Sequence, residues 1–138
     1  MLARLVEQYW AFESIENFDQ PRIEGLLQHA LAGTHEAACW VAENDGKLEG
    51  YLFAVFVLSL EHGGLMAEID EFFVISAARG RGVGLALLRY AEEALKKRGI
   101  FRLQLQLAVA NQSARDFYIG SGYERRVTYE LWDKHLDQ

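Results

Sequence analysis

A single cysteine, Cys39, cannot form an internal disulfide, so the fold must be held by its core rather than by covalent staples. Within Ala37-Ala38-Cys39-Trp40 it reads as a small core residue, because no histidine stands in an obvious paired context for it. The four histidines, His29, His35, His62 and His135, show neither H-x-x-x-H nor H-E-x-x-H spacing, and no metal is expected. Long apolar runs are also missing: none reaches the roughly 18 residues that span a bilayer. The start MLARLVEQYW lacks the pattern of a secretory leader. The cytoplasm is therefore the expected compartment, with no membrane partner. Positive charge is in short supply, with 14 Lys and Arg against 20 Asp and Glu for a net charge of −6. That balance argues against a nucleic-acid surface and permits a cationic small molecule as partner.

What is present is an ordinary globular composition, half apolar and a quarter charged, in 138 residues. This length suits one domain over 1–138, able to bury about two-thirds of its unfolded surface. Leu2, Leu5, Val6, Tyr9 and Trp10 recur at helical spacing, so the chain is expected to start in an amphipathic helix. Asp19 and Pro21 supply a cap and a first-turn proline for a second helix through Ile23, Leu27 and Leu31 to Gly33. Between the two helices, Glu13, Glu16 and Asp19 stand close to Phe12 and Phe18. Three strands are expected next, over 37–43, 48–60 and the stretch ending at Ile75, joined by Asn44-Asp45-Gly46-Lys47 and Glu61-His62-Gly63-Gly64 as an antiparallel meander. Leu103, Leu105, Leu107 and Val109 alternate with polar or small residues as in a fourth strand. Asn111 to Tyr118 reads as a short helix and Tyr123 to Trp132 as a last strand. No repeat or low-complexity tract interrupts the chain.

The centre of this pattern is 67–98. Ile69, Phe72, Phe73, Val74 and Ile75 suit a buried strand. The loop Arg79-Gly80-Arg81-Gly82-Val83-Gly84 comes after it, and then a helix carried by Leu85, Leu88, Ala91 and Leu95 and closed by Lys96, Lys97, Arg98 and Gly99. A helix N-terminus offers unpaired N–H groups and partial positive charge, and glycines keep side chains off them, so the loop suits a pyrophosphate. Neither G-x-x-x-x-G-K-[ST] nor G-x-G-x-x-G is present, which sets aside the common nucleotide-triphosphate and dinucleotide loops. A turn that merely joins strand to helix is the plainer alternative, and it leaves the two arginines unexplained.

Arg79-x-x-Gly82-x-Gly84 after Phe72-Phe73-Val74 resembles the acyl-CoA signature of the GNAT superfamily of N-acetyltransferases. Asn111-x-x-Ala114-x-x-Phe117-Tyr118 with Gly122-Tyr123 resembles that family's second motif. The resemblance covers roughly 37 to 132. It implies a GNAT-like α/β (α+β) fold with a mixed sheet: an antiparallel meander, then a right-handed β-α-β crossover, with the central strand splayed from the next. The usual first strand is missing here, and this leaves open whether the protein is a homodimer.

The resemblance also implies acetyl-CoA as co-substrate. The N–H groups of Gly80, Arg81, Gly82, Val83, Gly84 and Leu85 would take its pyrophosphate, with Arg79 or Arg81 adding charge. The backbone of Phe72, Phe73 and Val74 would pair with its pantetheine arm and supply an oxyanion donor, and Asn111 would lie beside that arm. Tyr118 takes the position that protonates the leaving thiolate, and a phenol with a reference pKa near 10 holds its proton at pH 7. Strand alternation puts Glu68, Asp70, Phe72 and Val74 on one face and Ile69, Glu71, Phe73 and Ile75 on the other. Either Asp70 or Glu71 could then accept the ammonium proton. The segment Ile69-Asp70-Glu71-Phe72-Phe73-Val74 is similar to one in polyamine acetyltransferases whose proposed base matches Asp70, although a carboxylate here could equally pair with Arg102. The expected activity is acetylation of a small primary amine. A protein N-terminal or lysine acetyltransferase and a non-catalytic acyl-CoA-binding module are the alternatives.

Overall fold

The computed structural model describes residues 1–33 and 35–136. The main chain gathers into two compact units, Met1–Gln106 and Leu107–Gln138. In the first, helices α1 (Leu2–Phe12) and α2 (Gln20–Leu31) precede strands β1 (Ala37–Asn44), β2 (Lys47–Ser59) and β3 (Gly64–Val74). Next come a 3-10 turn (Ser76–Ala78), helix α3 (Val83–Lys97) and a short strand β4 (Leu103–Leu105). Local chemistry explains most of these boundaries. The Asp19 carboxylate accepts from Arg22 N–H at 3.3 Å and so caps α2. Asp45 (φ 52°) and Gly46 (φ 76°) form the two-residue, left-handed turn that a tight hairpin requires.

The sheet order is β1-β2-β3-β4, antiparallel across β1, β2 and β3 and parallel between β3 and β4. One face packs Tyr51 and Phe73 against Leu5 and Val6 of α1 and Ile23 of α2. On the other, Ala67 packs against Leu95 of α3 and Ile100.

Strand β3 departs from regular pairing in two places. Phe53 pairs with Glu71 but Ala54 pairs with Ile69, so Asp70 is an extra residue, a β-bulge. Partners across a ladder share a face, so Ile69 lies with Ala54 and Leu52, whereas Glu71 and Phe73 lie with Phe53 and Tyr51. The strict alternation expected from sequence is thus corrected: the bulge reverses the side order, and Ile69 does not share a face with Glu71 and Phe73. Secondly, β3 pairs with β2 up to Val74, but with β4 only at Ala67, Glu68 and Ile69. From Asp70 onward the two central strands are splayed.

Gly50, opposite Val74, holds this end of β3 close. A Cβ there would sit 2.8 Å from Phe73 O and 3.2 Å from Val74 Cγ2. Gly50→Ala is therefore expected to cost about 1–3 kcal/mol of stability, as overpacked sites do. Chemical denaturation measures it, and an unchanged midpoint would mean that the strand end yields freely.

The second unit contains helix α4 (Gln112–Gly120), capped by the Asn111 side chain, which accepts from Ala114 N–H at 3.1 Å. Gly122, just beyond it, has φ 93°. Two expectations fail beyond α3. The strand expected to run to Val109 is β4 alone, ending at Leu105, because its ladder to β3 is confined to three pairs. The last strand expected over Tyr123 to Trp132 is not formed: those residues carry no ladder. Alternation supplies a strand's two faces but not the neighbour that its N–H and C=O groups need.

Candidate active site

The splay exposes the backbone of β3. Ile75 N–H donates to Glu49 O at 2.9 Å, so Gly50 and Val74 form the pair that exchanges no hydrogen bonds, and Val74 points its own N–H and C=O away from β2. On that side β4 has already lost its pairing, and Val74 lines the open side of the notch. The Val74 carbonyl accepts from Arg79 Nε at 2.9 Å.

Arg79 reaches back from the glycine loop in this way, with its guanidinium over Phe12 (4.6 Å) and Phe73 (5.5 Å). Arg81 pairs instead with Glu49 at 2.8 Å. Of the two arginines expected to add charge for a pyrophosphate, one is thus turned toward the strand and one is tied to a carboxylate. The loop itself has the expected shape. Gly80 (φ 77°) and Gly82 (φ 78°) are left-handed, and α3 starts directly after Gly82, with Ala86 N–H to Gly82 O as its first bond. The N–H groups of Val83, Gly84 and Leu85 precede that first donor and so find no acceptor within the helix. No main-chain hydrogen bond to the amides of Gly80, Arg81 or Gly82 occurs among the described residues.

The carboxylates of β3 have separate environments. Glu71 lies on the face covered by α1, where Trp10 Nε1–H donates to its Oε2 and Tyr51 O–H to its Oε1, each at 2.8 Å. Burial raises its carboxyl above the ordinary range, the two donors pull it down, and the Asp70 charge beside it pushes up again. Its neighbours share the strain. Burial, then the charges of Glu13, Glu71 and Asp70, push the Tyr9 phenol up to about 12. Burial and Glu71 hold Tyr51 protonated far above its usual range, and they lift Cys39 to about 11, which leaves an unreactive thiol.

Asp70, the bulge residue, keeps an exposed surface, although partial burial, by stripping water from the charged form, raises its carboxyl too. Neither carboxylate pairs with Arg102, whose buried Nε has no hydrogen-bond partner. Phe18, in the inter-helix loop, meets Trp10 edge-on (5.5 Å), and Phe12 at the end of α1 lies against Phe73 (6.0 Å). Asp19, of the acidic residues between the two helices, is spent on capping α2.

Sequence reasoning missed Trp10 and Tyr51 as partners of Glu71. The available signal was general: a buried tryptophan or tyrosine needs a partner for its polar tip.

In the second unit Asn111 caps α4. Tyr118 is buried, its ring edge-on to Phe117 and Tyr123 at 5.3 Å each.

A meander feeding a splayed β-α-β unit, with a glycine-lined helix mouth beside the splay, is the architecture of the N-acetyltransferases. The chain belongs to the Acetyltransferase (GNAT) family, whose model matches residues 2–123. It is 42% identical over 67 residues to an uncharacterized N-acetyltransferase of Methanocaldococcus jannaschii, covering 49% of this chain and 30% of that protein. To the aminoalkylphosphonate N-acetyltransferase of Salmonella typhimurium it is 28% identical over 85 residues, covering 62% and 55%. The chain thus matches about a third and about half of the lengths of these relatives. The crystal structure of an aminoglycoside acetyltransferase from an uncultured soil metagenomic sample superposes with a TM-score of 0.81 at 20% identity, over 97% of this chain and 88% of that one. That likeness speaks to the fold.

Proposed function

We propose that residues 1–138 act as one catalytic domain that moves an acetyl group from acetyl-CoA to the primary amine of a small cationic molecule. The observation that carries this reading is the splay: β3 runs to Val74 with its ladder to β4 ended at Ile69, beside the glycine mouth of α3. There a pantetheine arm can pair with the strand as an added β-strand would, while the amides from Gly80 to Leu85 hold the pyrophosphate. To do so the arm must take the Val74 carbonyl from Arg79. The N–H of Val74 is the proposed donor to the oxygen of the attacked thioester carbonyl.

Glu71 is the proposed base. It is a carboxylate held by two neutral donors and, among the described residues, by no cation, a setting that welcomes an ammonium group and then removes its proton. On the strength of the motif that they complete, Tyr118 is the proposed donor of a proton to the departing thiolate and Asn111 the proposed partner of the arm. A small acceptor is further supported by relatives named for aminoalkylphosphonates and aminoglycosides.

Acetyl-CoA at 100 times its dissociation constant is expected to stabilise the protein by about 2.7 kcal/mol, read as a thermal shift. Release of the coenzyme A thiol is then measured over a panel of polyamine, aminoglycoside, aminoalkylphosphonate and amino-acid amines and peptide N-termini. Absence of any shift would remove the cofactor site. A shift without turnover on any amine would reduce the chain to a binding module, and turnover on peptides alone would make it a protein acetyltransferase.

A further inference from the structure

Phe12, the last residue of α1, is 58% exposed, yet an organic cation covers its ring. The Arg79 guanidinium carbon stands 4.6 Å from the centroid of Phe12 and 5.5 Å from that of Phe73, within reach of a cation–π contact to both. What holds Arg79 there is weak. Besides the rings, its Nε donates to the neutral Val74 carbonyl, and among the described residues no carboxylate pairs with it. An arginine so placed is exchangeable, because phosphate oxygens bind a guanidinium more strongly than two rings and a carbonyl do. The same spot is joined to Glu71. Glu71 and Phe73 share a face of β3, roughly 7 Å apart along the strand. Tyr51, which donates to the Glu71 carboxylate, is the ladder partner of Phe73, and the Tyr9 ring touches both aromatics.

We infer that the rings of Phe12 and Phe73 form the seat of a second cationic group on the acceptor, and that Arg79 keeps this seat while the coenzyme is absent. Resting on the catalytic role proposed above, the seat narrows the acceptor to a diamine: one ammonium group goes to Glu71 and the other, a few bonds away, to the rings. Binding of the two substrates is then coupled. A pantetheine arm that takes the Val74 carbonyl removes the hydrogen bond that fixes Arg79, the pyrophosphate draws the guanidinium off, and the rings are left for the amine. Such coupling is reciprocal, so diamine and coenzyme each strengthen the other's binding.

Calorimetric titration with the diamine putrescine, and with butylamine, which has the same carbon chain and a single amine, tests the seat. With the unaltered protein, putrescine is expected to bind about 3- to 30-fold more tightly when coenzyme A is present, the range of a cation–π contact. Arg79→Ala is expected to show that gain without coenzyme, for putrescine and not for butylamine. Adding Phe12→Leu to Arg79→Ala is expected to abolish it, and because both side chains are exposed the substitutions leave the core alone. Removal of a positive charge by itself would favour both amines and would persist after Phe12→Leu. An affinity of the unaltered protein that ignores bound coenzyme, no gain in Arg79→Ala, an equal gain for the two amines, or a gain that outlasts the Phe12 ring would each overturn the inference. A missing thermal shift with coenzyme A would overturn the cofactor site instead, and the titrations without coenzyme test the seat alone.

Discussion

Glu71→Gln is expected to lower kcat/KM for amine acetylation by about 10²- to 10⁴-fold, the contribution of a positioned general base. The change keeps the shape and leaves groups for Trp10 and Tyr51 to meet, so the loss falls on proton removal rather than on folding. The neighbouring groups give a sharper check, because they move the carboxyl in opposite directions. Trp10→Phe deletes a donor that stabilises the charged form, so the Glu71 pKa rises and the acid limb of the pH–rate profile moves to higher pH. Asp70→Asn deletes a charge that pushes the carboxyl up, so the same limb moves to lower pH. A base is lost as pH falls through its pKa, and these displacements should appear on the acid side alone. If Glu71→Gln and Asp70→Asn both left the profile intact, neither carboxylate would be the base.

Removing a single oxygen with Tyr118→Phe is expected to reduce kcat by a similar factor, about 10²- to 10⁴-fold, and to leave the thermal shift with acetyl-CoA unchanged. The edge contacts of the ring with Phe117 and Tyr123 are ones that phenylalanine keeps, and a thermal melt of the variant without ligand separates any loss of stability from loss of turnover. A step limited by thiolate departure should also respond to the acyl donor: a thioester whose thiol is more acidic needs the proton less and should recover part of the lost rate. Unchanged turnover would take Tyr118 out of the mechanism and leave it as the core aromatic of α4.

How much of the site could be read in advance differs residue by residue. The glycine loop was legible because its requirements are local: Gly80 and Gly82 take left-handed backbone that other residues resist, and both precede a helix with clear spacing. Asn111 and Tyr118 were legible as a motif on a short helix. The different surroundings of Asp70 and Glu71 were not. They turn on the bulge at Asp70 and on donors far away in sequence, Trp10 on α1 and Tyr51 on β2. Either arginine was expected to add charge at the loop, with nothing local to tell them apart, yet they part company because Glu49 is brought opposite one and the ring of Phe12 beneath the other.

By itself the sequence determined the helices, the hairpins, the order of elements as far as α4 and the left-handed glycine loop before α3, all set by spacing, caps and turn residues that act within a few positions of each other. Only the tertiary structure decided where β3 parts from β4, that Asp70 is the bulge while Glu71 faces α1, and that the residues from Tyr123 to Trp132 carry no ladder. Those outcomes depend on register and on which strand edge finds a partner, and such pairings join residues too distant in the chain for any local pattern to record.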